Sequence, residues 1–316
     1  GIDLGGTEIK FAIIDPATVS DDNPMGIILL KEHVWNPKPK AFTQGLDFQN
    51  YMETLLRFVL AKVSLDRSII NPELEELKEV AQQALEDKNT SITSIADIAE
   101  RIEKSGIKLV MPTSIGISFS DVVANNEVAG VMTSKTSGIV KKYTDEKGNF
   151  NADSYWKEFN ATIRPLAKNI SESISRHFGL EEVIPYAIAN DGNVGSLWAA
   201  VFLSRGGIFN FALGTSLGGG IVDATGKIAN RVYELSYLKL LIGSKEYKHN
   251  KLDLYGCGQQ MLSQDAVFTL AQKEGIIDSY PNDREDKTLG YIQGLKDKPE
   301  YKEKIERIID KLAEFL

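Results

Sequence analysis

Two segments of this chain share one pattern: an apolar strand, a turn crowded with glycine, and a second apolar strand. The first is GIDLGGTEIKFAIID at residues 1–15, and the second is IFNFALGTSLGGGIVDATGKI, from residue 208 on. Gly5 and Gly6 permit positive φ and place no Cβ in the way of a ligand near the backbone, and Thr7 adds a hydroxyl. Consecutive amides in such a turn form a nest for an anion. Taken alone, two glycines read first as a plain hairpin bend. They are neither a Walker loop nor a dinucleotide fingerprint, because the required spacing and the following helix are missing, and Lys10 lies on the strand beyond the turn. The second turn carries Gly214, Thr215, Ser216, Gly218, Gly219 and Gly220, more glycine than a reversal of direction needs. Glycine inside a strand costs stability, so this density implies close approach by something, structural bends being the alternative. One such hairpin in each half of the chain suggests a clamp on a polyphosphate.

Length and composition set the frame. A chain of 316 residues suggests two domains, or one large domain with insertions. Its formal charge of −8 gives no basic face for nucleic acid. The single Cys257 excludes an intrachain disulfide and any multi-cysteine zinc site, and it fits a reducing compartment. No apolar run approaches a membrane span and no signal-peptide pattern opens the chain, so a cytoplasmic location is expected. The absent initiator methionine and the end within a helical pattern suggest a sequence incomplete at both ends.

Between the hairpins the reading is mixed α/β. After a further strand, GIILLKEHVW, residues 41–63 read as a helix. A second helix starts with Asn71 as N-cap and Pro72 at its first position, and a third runs from about Ser94 to Ser105, stopped by Gly106. SIGISFSDVV reads as a short strand, 124–152 as loop, and 153–178 as one amphipathic helix. VIPYAIAN is a strand running into DGNVGSLWAAVF, helical from Asn193, and helices close the chain near 263–274 and 299–316.

IANDGNVG places Asn190 and Asp191 at the carboxyl end of a strand, where α/β folds gather ligand groups. Asp191 serves equally as a helix N-cap or as a general base taking a proton from an attacking hydroxyl. In the second case Asn190 would hydrogen-bond the hydroxyls of the acceptor. His33, His177 and His249 have no metal-ligand spacing. Cys257, between two glycines, reads as a small buried residue, and Trp35, Trp156 and Trp198 as core, with Trp198 packing between lobes.

GIDLGGTEIK resembles the first phosphate motif of the actin-like sugar kinases, and LGTSLGGGIVDATGKI their second. IANDGNVG resembles the segment with the catalytic Asn-Asp of the ROK family (repressor, open reading frame, kinase), in the same order and rough spacing. The resemblance covers most of the chain. It implies a two-lobed actin-like ATPase (ribonuclease H-like) fold with mixed sheets flanked by helices, the lobes being about 1–203 and 204–316, with a helical insertion at about 61–110. It implies transfer of the γ-phosphoryl of ATP to a hexose or amino-hexose, with Mg²⁺. On it, Asp3 holds the metal and Gly5, Gly6, Thr7, Lys10, Gly214, Thr215 and Gly218 serve the nucleotide. Asp191 is the base, and Asn190, Glu234, Tyr237 and Gln259 face the sugar. A homodimer is usual in that family, with neither nucleic acid nor membrane as partner of its kinases.

The chain departs from the family pattern on the sugar side. Tyr237 stands where the family has histidine, Gln259 near a usual glutamate, and Phe119–Ser120–Asp121 where a Pro-Gly loop is expected. The cysteine-rich zinc segment is reduced to Cys257, so no structural zinc is expected. No adenosine-binding segment follows the second phosphate motif, which is attributed to truncation. Two rivals stand beside the kinase reading: a repressor-like sugar sensor, disfavoured because the chain starts at the first phosphate motif, and an actin-like ATPase with a non-sugar acceptor.

Overall fold

The computed structural model describes residues 1–5, 8–34, 41–68, 72–87, 89–129, 136–213, 217–229, 235–242, 254–278, 292 and 294–315. Two compact units result, Gly1–Asp191 and Gly192–Leu316. The division falls after Asp191; the resemblance implies lobes of about 1–203 and 204–316.

In the first unit, strands β1 (Ile2–Leu4), β2 (Glu8–Ile14), β3 (Ile27–Val34), β4 (Ile115–Phe119) and β7 (Tyr186–Asn190) form one mixed sheet in the order β3-β2-β1-β4-β7. β2 runs antiparallel to both β1 and β3, while β1, β4 and β7 are parallel. Alternation fixes the register: Ile2, Leu4, Ile9, Phe11, Ile117, Phe119 and Ile188 are buried, while Lys10, Gly116 and Ala187 on the other face are exposed. A slip of one residue would exchange the two faces.

Helices α1 (Gly45–Asp66), α2 (Pro72–Glu86) and α3 (Ile92–Lys104) occupy the connection from β3 to β4. The expected insertion therefore begins inside α1. It is not a separate lobe, since Leu74, Leu77, Ile95, Ile98 and Ile102 join the same core as the sheet. Asn71, the expected N-cap of α2, lies outside the described residues. Gly106 ends α3 at φ +79°, as its position after the last apolar residue suggested. α1 packs against β2, α2, α3, α5 (Ala152–Thr162) and α6 (Leu166–His177), which explains why it is apolar on nearly every side. Its entry is held by Glu158 of α5, which accepts from the Gly45 amide at 2.6 Å, the Lys142 ammonium at 2.8 Å and the Tyr143 hydroxyl at 2.5 Å. A side chain at position 45 would collide with Thr162, so glycine is required there.

Two expectations fail in this unit. Residues 124–152 are not all loop. β5 (Val123–Ala124) and β6 (Glu127–Val128) form a hairpin, and α4 (Ser137–Lys142) follows. The hairpin turns through Asn125 and Asn126 at φ +54° and +63°, a conformation asparagine tolerates better than most residues. Asn126 also completes the edge of β7, its Oδ1 accepting from the Ile188 amide at 2.7 Å. Residues 153–178 are two helices, because Pro165 lacks an amide hydrogen and its ring disfavours helix at the residue before it.

His33 on β3 is 2% exposed, with Nε2 3.0 Å from the Tyr51 hydroxyl of α1. Burial, then the positive charge of Lys31, lowers its pKa from 6.5 to about 4, against a smaller opposing effect of Asp87. The folded chain thus keeps the ring neutral at pH values where the unfolded chain binds a proton. Stability is lost as pH falls from 6.5 towards about 4. The loss is about 1–3 kcal/mol, at about 1.4 kcal/mol per unit with some hydration of the charged ring. In urea unfolding, His33→Gln should remove this part of the pH slope. Equal slopes in the two proteins would show that His33 does not carry it.

The second unit contains α7 (Asp191–Phe202) from Gly192 on, the antiparallel pair β8 (Ile208–Leu213) and β9 (Leu217–Val222), α8 (Gly258–Leu262), α9 (Gln264–Lys273) and α10 (Pro299–Ala313). α9 and α10 pack around Phe268, Leu270, Ile305 and Ile308, and Arg307 of α10 reaches Glu274 at 2.7 Å. α7 lies on β9 through Gly192, Asn193, Ser196 and Ala200, all buried. Trp198, expected inside, is 54% exposed and stacks on Phe202 at 5.2 Å. Among the described residues no helix is long and apolar enough to cross a membrane.

Candidate functional site

In the first unit the carboxyl ends of three parallel strands converge. β1 ends at Leu4, followed by Gly5. β4 ends at Phe119, followed by Ser120 and Asp121, and β7 ends at Asn190, level with Phe119 in the ladder. Two side chains lace this rim. Ser120 Oγ donates to the Leu4 carbonyl at 3.2 Å, and Asn190 Nδ2 donates to the Asp121 carbonyl at 3.0 Å. Asn190 is therefore oriented by the backbone of the neighbouring strand end. Asp191 follows without a loop and is the first residue of α7. The helix starts two residues earlier than expected from sequence, and a carboxylate in a first helical turn is favoured by the aligned backbone dipoles.

Asp3 is half-buried on central β1, beside Lys10 of β2 and Ser118 of β4. Lys10 reaches Glu32 of β3 at 3.6 Å, both side chains being well exposed. Gly5 needs its missing side chain, since a Cβ there would lie 2.8 Å from the Glu8 carbonyl oxygen. Gly6 and Thr7 lie outside the described residues. Tyr155 of α5 is fully buried and interacts with the Asp121 carboxylate. Burial and then the nearby Asp121 carboxylate raise its pKa, against a hydrogen bond with Thr136 that lowers it. In the sequence Asp121 stands only as a departure from the family pattern. Its place next to Asn190 follows from the β4–β7 pairing, which no local signal announces.

In the second unit, Gly218 lies on β9 opposite Ala212, while Gly214, Thr215 and Glu234 lie outside the described residues. Gly219 and Gly220 are sites of close approach by other parts of the protein. A Cβ on Gly220 would lie 2.2 Å from the Gly192 carbonyl oxygen, and one on Gly192 2.3 Å from the Gly219 oxygen. A side chain at Gly220 would therefore meet the backbone of α7, whereas one at Gly219 would meet the Leu235 side chain, 2.7 Å away. The start of β9 is tied by Ser236, whose Oγ accepts from the Leu217 amide and donates to the Leu217 carbonyl, both at 2.9 Å. Ser236 belongs to the 3₁₀ turn Leu235–Tyr237, where Tyr237 is 52% exposed. The first residue of α8, Gly258, packs on the Leu235 carbonyl and donates to Leu238 O at 2.9 Å, so Tyr237 and Gln259 sit on adjoining segments. Gln259 Nε2 donates to Asp265 Oδ2 of α9 at 2.8 Å, which ties that amide to a buried carboxylate.

No protein-family model and no curated protein matches the chain. Solved structures do resemble it. A ROK family glucokinase from Streptomyces griseus, solved with glucose and AMPPNP, is 14% identical over 100% of this chain and 75% of its own, with a TM-score of 0.47. A ROK family transcriptional regulator, a homolog of the E. coli Mlc protein, is 12% identical over 98% of this chain and 59% of its own, at 0.49. A ROK family protein from Streptococcus pneumoniae, in complex with sucrose, is 15% identical over 100% and 73%, at 0.47. All three are ROK family proteins. The fold seen here is itself mixed α/β, with a mixed sheet flanked by helices.

Proposed function

We propose that this protein is an ATP-dependent sugar kinase of the ROK type, acting on a hydroxyl of a hexose or amino-hexose. The observation that carries the reading is the Asn190–Asp191 pair at the carboxyl end of β7, with Asn190 fixed by the Asp121 carbonyl at 3.0 Å. A carboxylate at the mouth of a parallel sheet, next to an oriented amide, suits proton abstraction from an alcohol. Asp191 accepts the hydroxyl proton as the sugar oxygen bonds to the γ-phosphorus, and the bond to the bridging oxygen breaks with its electron pair leaving on ADP. Asn190 orients the acceptor hydroxyls. Glu234, Tyr237 and Gln259 line the sugar side. Gly5, Gly6, Thr7, Lys10, Gly214, Thr215 and Gly218 hold the nucleotide, mainly through backbone amides.

Mg²⁺ is commonly held by one or two carboxylates plus substrate phosphates, which matches the lone half-buried Asp3 on β1. When bound it neutralises phosphate charge. The partners are then small molecules, the setting is the cytoplasm, and a homodimer is the expected assembly. ADP release measured against a panel of hexoses and amino-hexoses tests the reading, and one or more of them should stimulate it. Sugar binding without ATP turnover would instead identify a sensor. ATP turnover indifferent to every sugar would point to another acceptor.

A further inference from the structure

We propose that Asn193 is a positioning residue for this reaction, fastening the first turn of α7, which opens with Asp191, to β9, the strand that leaves the second glycine turn. The inference rests on the function proposed above. Asn193 is 4% exposed, and its Oδ1 accepts from the Ile221 amide of β9 at 3.3 Å. The Ile221 carbonyl is taken by the Ala229 amide at 2.9 Å. Around this bond the two elements meet largely through glycine, and further along Ala200 of α7 packs with Val222 of β9. Gly192 lies on Gly219 and Gly220, Gly195 lies against the Asn210 amide, and Ser196 Oγ turns back to the Gly192 carbonyl at 3.1 Å.

Glycine-on-glycine contact fixes how closely a helix approaches a strand, but a surface without knobs and holes does little to stop the helix sliding along it. A directional hydrogen bond from Asn193 to one chosen amide supplies that missing restraint. It sets where the first turn of α7 stands along β9, and that turn opens with Asp191. Errors of about 1 Å between reacting groups cost about 100-fold in rate, so the restraint has catalytic consequence although Asn193 need touch no substrate.

The test compares Asn193→Ala, which removes the acceptor, with Asn193→Asp, which retains an oxygen at the same reach. Alanine is a better helix former than asparagine, so loss of propensity is not at issue. Asn193→Ala is expected to lower kcat about 10–100-fold, with KM for ATP changed less than about threefold. The limb of the pH–rate profile that reports Asp191 should also shift, and Asn193→Asp should recover most of the rate. Unchanged kcat, or a loss that follows KM and melting temperature together without rescue by Asn193→Asp, overturns the proposal. Hydrogen exchange reads the tie without turnover. The Ile221 amide and the first turn of α7 should lose protection together in Asn193→Ala, and retained protection at α7 overturns the proposal whatever the activity. If Asn193→Ala does not fold, exchange in Asn193→Asp decides, since its α7 should keep wild-type protection. A wild-type protein that turns over no sugar, yet loses both protections in Asn193→Ala, would remove the proposed function while leaving the mechanical tie standing.

Discussion

Asp191→Asn should lower sugar-dependent turnover by about 10²–10⁴-fold while ATP affinity stays within a few-fold of wild type, the range expected for loss of a general base. The substitution keeps size and shape and removes the proton acceptor. Asparagine is also tolerated at the start of a helix, so α7 should still begin at the same residue and the melting temperature should change little. Stability and catalysis are thereby separated in one variant. Steady-state kinetics with the best sugar, together with nucleotide binding by calorimetry, is the measurement. Unchanged turnover would remove Asp191 from the mechanism and leave it the structural role that its place in the first turn of α7 also allows.

Gly220→Ala should cost about 3 kcal/mol or more, at the upper end of what overpacking does, because nothing near the added methyl can move cheaply. Its Cβ would lie 2.2 Å from the Gly192 oxygen, 2.4 Å from the Gly192 carbonyl carbon and 2.5 Å from the Asn193 Cα, all backbone atoms of α7. Relief requires α7 to lift from β9, which would also stretch the Asn193–Ile221 bond. Gly116→Ala is the matched control: a Cβ there meets nothing within 4 Å, so its effect on denaturant unfolding should stay within about 0.5 kcal/mol. If Gly220→Ala proved as mild as Gly116→Ala, the close approach of α7 to β9 would not exist in solution.

Gly220 also shows where reading the sequence stopped short. Four glycines in seven residues correctly signalled close approach, but composition cannot say what approaches. A ligand and a helix backbone both need the Cβ absent, and the helix responsible begins more than two dozen residues earlier in the chain. In DGNVG the aspartate is the residue whose chemistry is legible locally. Its glycines and Asn193 gain their meaning only from β9. Likewise Asp121 becomes a neighbour of Asn190 through pairing of β4 with β7, a contact across 69 residues. The single helix expected over 153–178 fails for a local reason, because an apolar period continues through Pro165 while the proline itself divides α5 from α6.

The local facts were decided by the sequence itself. Alternating apolar residues make β1 and β2 a hairpin around glycine, Pro72 opens a helix and Gly106 closes one, because each depends on steric and hydrogen-bonding limits acting within a few residues. The tertiary structure alone decided which strand ends meet at the rim, which amide Asn190 and Asn193 each engage, and which glycines serve packing. Those choices depend on pairings between residues far apart in the chain, whose free energy is gained only when sheet and helices are assembled together.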